Sequence, residues 1–149
     1  MVRSKKVNNV ERSATLVEFA IAGPIFFAAV FGIIEFSRLL WTHNALADAA
    51  RQGARYAAIS PQNATEVKNI VVYGAPNPAP GANPAIYGLT TGNVEVTYNS
   101  FGVKQGSVEV KITGYQFTFS VPLIEATLVM GDYHTALTGE SAGFAPPVI

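Results

Sequence analysis

The chain has 149 residues, 10 basic and 10 acidic side chains and no cysteine, and 49% of its residues are hydrophobic. Zero formal net charge removes the overall basic character that a nucleic-acid partner would require, and the lack of cysteine excludes disulfides, thiolate nucleophiles and cysteine metal sites. A chain of this length holds one small domain with a modest core.

Arg3, Lys5, Lys6 and Arg12 precede residues 14–34, ATLVEFAIAGPIFFAAVFGII, where Glu18 is the only ionisable residue. Such a run makes roughly 31 Å of helix, close to the thickness of bilayer hydrocarbon. A buried core helix is the first competitor, but a domain this small could hardly enclose a helix that is apolar on every side. A cleaved secretory signal is the second. Its cleavage sites fit poorly, because Ala20-Ile21-Ala22 leaves too short an apolar run and Ala45-Leu46-Ala47 lies well past the apolar end. The basic residues place the N-terminus in the cytoplasm. The expected organisation is a cytoplasmic basic leader (1–13), a transmembrane helix (14–34), a continuation of that helix (35–59) and an extracytoplasmic α+β domain (60–149), with a single pass through the cytoplasmic (inner) membrane.

Within the span, Gly23-Pro24 removes a backbone donor and sets the proline ring against the Ala20 carbonyl, so a bend or a locally melted turn is expected. Ala28 and Gly32 form a small-xxx-small pair suited to close helix packing. Glu18 lies about 6 Å along the axis from Ala14. A carboxylate at mid-bilayer costs roughly 2.5 to 3.5 kcal/mol, less near the interface, so Glu18 needs a partner or a proton. Alternatively the helix starts later and Glu18 stays at headgroup level.

Three stretches now stand together: Arg12-Ser13-Ala14-Thr15-Leu16-Val17-Glu18-Phe19-Ala20, Gly32-Ile33-Ile34-Glu35-Phe36-Ser37-Arg38, and Ala49-Ala50-Arg51-Gln52-Gly53-Ala54-Arg55-Tyr56-Ala57. They resemble the TadE-like family, pilin-related proteins of tight-adherence (Flp) pilus assembly. A weaker likeness takes in Gly114-Tyr115-Gln116-Phe117 and Ala136-Leu137-Thr138-Gly139-Glu140. The resemblance implies cutting by a prepilin peptidase between Ser13 and Ala14, which makes Glu18 the fifth residue of the mature chain. It also implies that this glutamate pairs with the free N-terminal amine of a neighbouring subunit. Ser13 stands where such peptidases prefer glycine. The implied partners are other pilin or pseudopilin subunits, reached through the N-terminal helix, with the prepilin peptidase, the inner-membrane assembly platform and the lipid bilayer.

Beyond the span the helical pattern continues, with Phe36, Leu39, Leu40, Leu46, Ala50, Ala54 and Ala57 on one side and Arg38, Thr42, Asp48, Gln52 and Arg55 largely elsewhere. Asp48 can reach Arg51 or Gln52. Trp41 marks either the outer membrane interface or the domain core. Ser60-Pro61 ends the helix.

Residues 64–73 read as a short helix ending near Gly74, with Val67, Ile70 and Val71 inward; a strand over 69–73 is the alternative. Residues 74–92 are rich in Gly, Pro and Asn and read as a long loop. Val94, Val96 and Tyr98, then Val108, Val110 and Ile112, alternate with polar residues as two half-buried strands, joined as a hairpin through Asn99-Ser100-Phe101-Gly102 and on to Gly106. Residues 117–121 are expected to extend the second strand past Gly114, and 133–137 to form a final strand. The expected fold is α+β, a long helix packed on a small antiparallel sheet, which is the general pilin plan.

Chemistry is sparse. Gly139-Glu140-Ser141-Ala142-Gly143 spells a nucleophile elbow, but the six residues that follow hold neither histidine nor acid, so the motif is rejected. His43 and His134 have no metal-ligand spacing. Asn63-Ala64-Thr65 fits a glycosylation acceptor and is assigned no role. No glycine-rich loop suits phosphate binding, and no enzyme activity, metal or cofactor is expected. The expected function is a pilin-like (pseudopilin) accessory subunit of a tight-adherence pilus or related secretion apparatus. The alternative is a membrane-tethered binding module using the loop at 74–92.

Overall fold

The computed structural model describes residues 5–99, 106–121 and 124–138. Helix α1 spans Lys5–Ile59 and runs unbroken through Gly23 and Pro24, so the turn there is helical and not melted. One stretch of it is long and apolar enough to cross a membrane, and that stretch is not buried against the other described residues.

The C-terminal half of α1 carries the core. Leu46, Ala50, Ala54 and Ala57 are fully buried, in the i, i+4, i+8, i+11 rhythm of one helix face. Alanines there let the backbone approach its neighbours closely. At Gly53 the approach is closest. A Cβ added there would overlap Val71 Cγ2 and meet Val110 Cγ1 at 3.4 Å.

Phe36 and Leu40, expected on this face, are exposed, whereas Thr42, expected elsewhere, is buried. At 100° per residue, Glu35, Leu39 and Thr42 fall within about 40° of Leu46, while Phe36 and Leu40 lie about 80° and 120° away. Trp41 falls on the outward side and is 62% exposed, so it is not core.

Helix α2 spans Ala64–Tyr73, as the helical reading of that segment expects. Asn63 starts it, its side-chain oxygen accepting from Thr65 N at 3.1 Å and Glu66 N at 3.4 Å. Gly74 stops it at φ +73°, in the left-handed region, and its N–H donates to the Ile70 carbonyl. These caps satisfy terminal groups that the helix leaves open. Asn63→Ala is expected to cost about 1 kcal/mol, read as a lower thermal midpoint of the full chain. Val67, Val71 and Val72 are buried, and Ile70 is half-buried.

The loop at 74–92 is not loose filling, since it buries Ile86 and Leu89. A 3₁₀ turn at Thr91–Asn93 leads into the sheet. Asn93 locks it, accepting from Thr90 Oγ1 at 2.7 Å and donating through Nδ2 to the Thr113 carbonyl at 3.0 Å.

Strands β1 (Val94–Asn99) and β2 (Ser107–Ile112) form the expected antiparallel hairpin, with Val96 opposite Val110. The turn joining them lies outside the described residues. Strands β3 (Gln116–Val121), β4 (Ile124–Val129) and β5 (Tyr133–Thr138) follow. β5 returns to pair with β2, giving a three-stranded sheet in the order β1-β2-β5.

Residues 117–121 do not extend β2. They belong to β3, which pairs with β4 in a separate two-stranded sheet. The physical reason is Gly114, whose φ of +64° turns the chain out of the ladder, a conformation that glycine adopts without a Cβ penalty. Tyr115 secures the turn: its carbonyl accepts from Met130 N at 2.9 Å, and its hydroxyl donates to the Tyr87 carbonyl at 2.7 Å.

Candidate functional site

The residues singled out in the sequence are distributed along α1. Ser13, Ala14 and Glu18 are exposed on continuous helix, and among the described residues no hydrogen bond or ion pair reaches the Glu18 carboxylate. On an ideal helix Gly32 lies about 40° and Ala28 about 80° around the axis from Glu18, so these three share one side. Gly23 lies about 140° from Glu18, on the far side, and Pro24 about 120° away, one turn before Ala28. A Cβ added at Gly23 or Gly32 would touch nothing within 4 Å. Neither glycine is therefore required by packing inside this chain.

A second cluster sits where the apolar helix meets the domain, and sequence reasoning assigned it no role. The Glu35 side chain is only 11% exposed and pairs with Arg38 one turn later, with Arg38 Nη2 at 2.8 Å and Nε at 3.2 Å from one carboxylate oxygen. Arg38 also donates to the Thr118 carbonyl of β3, and its guanidinium lies 4.5 Å from the centre of the Phe117 ring. Phe117 in turn meets Phe119 edge-on. One arginine thereby joins α1 to the two-stranded sheet through a charge pair, a backbone hydrogen bond and a cation–π contact. The signal for this cluster was present in Glu35-Phe36-Ser37-Arg38. It needed β3, which the sequence reading attached to the wrong sheet.

Burial pushes the Tyr115 phenol above its ordinary value, with the Arg38 charge pulling it partly back. Burial likewise raises Tyr133, whose hydroxyl lies 2.7 Å from His43 Nδ1. His43 and Tyr133 also stack edge-on at 5.2 Å. His134, the next residue along β5, is exposed and points to the other face of the strand by alternation. The structure does not bring the two histidines together. Asp48 pairs with Arg51 at 2.6 Å on the surface.

Residues 14–55 match the family model of the TadE-like proteins. The chain carries a TadE-like segment. It begins at Ala14, contains Glu18, Gly32, Glu35 and Arg38, and ends just beyond Gly53, so it covers the apolar helix, the junction with β3 and the close contact with α2. The likeness read in Gly114-Tyr115-Gln116-Phe117 and in Ala136-Leu137-Thr138-Gly139-Glu140 lies outside the matched residues, and residues 139–143, with the rejected elbow motif, lie outside those described. No curated protein and no solved structure matches the chain. The TadE-like segment ties the protein to tight-adherence pilus-related function.

Two halves of this segment behave differently. From Ala14 to Ile34 the TadE-like helix is mainly apolar and exposed; from Glu35 onward it is one wall of a packed domain. Among the described residues no three His, Asp or Glu side chains cluster as metal ligands would.

Proposed function

We propose that this protein is a pilin-like (pseudopilin) accessory subunit for assembly of a tight-adherence/Flp-type pilus or a related secretion apparatus. The observation that carries the reading is the coincidence of the TadE-like segment with an apolar helix that is not buried against the other described residues, bearing Glu18 on the same side as Ala28 and Gly32. A carboxylate in lipid calls for a partner, and small residues that serve no internal packing are suited to a neighbouring helix.

In this reading the chain crosses the inner membrane once, N-terminus inside and domain outside. A prepilin peptidase cuts between Ser13 and Ala14, and Glu18 pairs with the new amine of an adjoining pilin or pseudopilin at the assembly platform. The subunit then sits at the membrane or enters the extracellular pilus. Its work is assembly and not catalysis.

The test is the mature N-terminus of protein extracted from native membranes, by intact mass and terminal sequencing, with and without the host's prepilin peptidase. A peptidase-dependent start at Ala14 is expected. Glu18→Gln should leave expression unchanged and lower the assembled subunit by about tenfold or more, the equivalent of roughly 1.4 kcal/mol. Retention of Arg12 in the presence of the peptidase would leave a plain membrane-tethered module.

A further inference from the structure

The apolar surface of α1 does not stop where the span ends. Ile33, Ile34, Phe36, Leu40 and Trp41 are all exposed on the outward side. The two charged residues at this level, Glu35 and Arg38, are turned toward β3 and paired with each other. Beside them the β3–β4 sheet is two-faced. Cross-strand register puts Phe117 with Leu128 and Phe119 with Ala126 on one face, and Gln116, Thr118, Ser120, Thr127 and Val129 on the other, which is polar except for Val129 at its open end.

Helix α1 covers the β3 half of the apolar face, burying Phe117, and leaves the β4 half open, with Leu128 44% exposed. Between β4 and the helix runs a cleft of about 360 Å³ lined by Leu39, Leu40, Leu128, Val129 and Met130, with His43, Asp132 and Tyr133 at its far end. Contacts step down the helix toward the span, from His43 with Tyr133 to Arg38 with Phe117 and Thr118. β3 therefore meets α1 closer to the span than β5 does.

We propose that this surface, the open apolar face of β4 with Phe36, Leu40 and Trp41 of α1, is seated in the outer leaflet of the bilayer. Its occupant is lipid at the boundary of headgroups and acyl chains. Continuity with the membrane-spanning helix favours lipid: the surface begins at the residue where the span ends, and the one carboxylate lining the cleft, Asp132, is paired with Lys111 at 3.0 Å. An amphipathic element with one apolar and one polar face is suited to lie in that boundary, and an exposed indole is suited to its depth. The proposal rests on α1 lying in the bilayer and not on pilus assembly.

The chain has no cysteine and a single tryptophan, so each position can be probed alone. The full chain is placed in vesicles of phosphatidylcholine and phosphatidylglycerol, with a fluorophore on Leu128→Cys, Thr127→Cys, Arg55→Cys or Ala28→Cys. Emission is quenched by spin-labelled lipid or by aqueous iodide, and Trp41 is followed in the unlabelled chain. The label at 128 and Trp41 should be blue-shifted and quenched mainly by lipid, whereas the labels at 127 and 55 should yield mainly to iodide. Quenching at 128 by iodide would overturn the proposal, because the domain would then stand clear of the membrane. Protection at 128 from both quenchers would also overturn it, in favour of a second copy of the chain on the cleft. The label at 28 reports the span separately: failure of lipid to quench it would refute the membrane helix itself.

Discussion

Gly53→Val should lower the stability of the folded domain by about 3 kcal/mol, at the upper end of what inserted methylenes cost in a close-packed core. The site is where α1, α2 and β2 converge. An added Cβ overlaps Val71 Cγ2, and Val67 and Val110 stand at 3.7 Å and 3.4 Å. All three are β-branched, buried and stiff at χ1, so none can swing aside. Near-UV circular dichroism of the full chain in detergent should register a fall in thermal midpoint of roughly 10 to 20 °C. Gly53→Ala should fall short of this, because alanine regains about 1 kcal/mol of helix propensity. Combining it with Val71→Ala should reveal a favourable coupling of about 1 kcal/mol, since the second change removes the overlapping methyl. An unchanged midpoint for Gly53→Val would mean that α1 does not approach α2 and β2 this closely.

Arg38→Met is expected to loosen the β3–β4 sheet while sparing β1-β2-β5. The substitution keeps much of the aliphatic stem but leaves the Glu35 carboxylate, 11% exposed, without its partner. Stranding a buried charge costs about 3 to 5 kcal/mol. Arg38 is itself 42% exposed, so about 2 kcal/mol is expected here after screening by solvent. Glu35→Gln together with Arg38→Met should be milder than Arg38→Met alone, because no charge is then stranded. Arg38→Lys should restore little, for an ammonium cannot serve the carboxylate, the Thr118 carbonyl and the Phe117 face with one planar group. Hydrogen exchange would separate the regions: amides of β3 and β4 should exchange faster, and those between β1 and β2 should keep their protection. Equal acceleration in both sheets would show that Arg38 supports the whole domain and not this junction.

Local periodicity explains which parts of the fold were legible. The long helix, the short helix over 64–73 with its end near Gly74, the alternation in β1 and β2 and the final strand β5 are each read from a few neighbouring residues, and each is present as expected. The missed strand β4 also had a pattern, Ile124, Ala126 and Leu128 alternating with polar Glu125 and Thr127. Pairing was the obstacle. β3 follows β2 after only three residues, and nothing in the letters Thr113-Gly114-Tyr115 says that the glycine adopts φ +64° and sends the chain to a new sheet. The same limit hid the junction. Glu35 and Arg38 are visibly one turn apart, but their burial depends on a strand 80 residues away.

The sequence by itself determined what short-range chemistry can determine: an apolar stretch as long as a bilayer is thick, a glutamate within it, a TadE-like motif, and the elements of a small α+β domain. Tertiary structure decided which side of the continuing helix is core, why Gly53 has no side chain, and how Arg38 joins helix to sheet. It also left an apolar cleft open beside the end of the span. The division follows from range: propensity and periodicity act over one or two turns of chain, whereas burial, charge pairing and the partner of a strand are set by segments distant in sequence that meet only when the chain is folded.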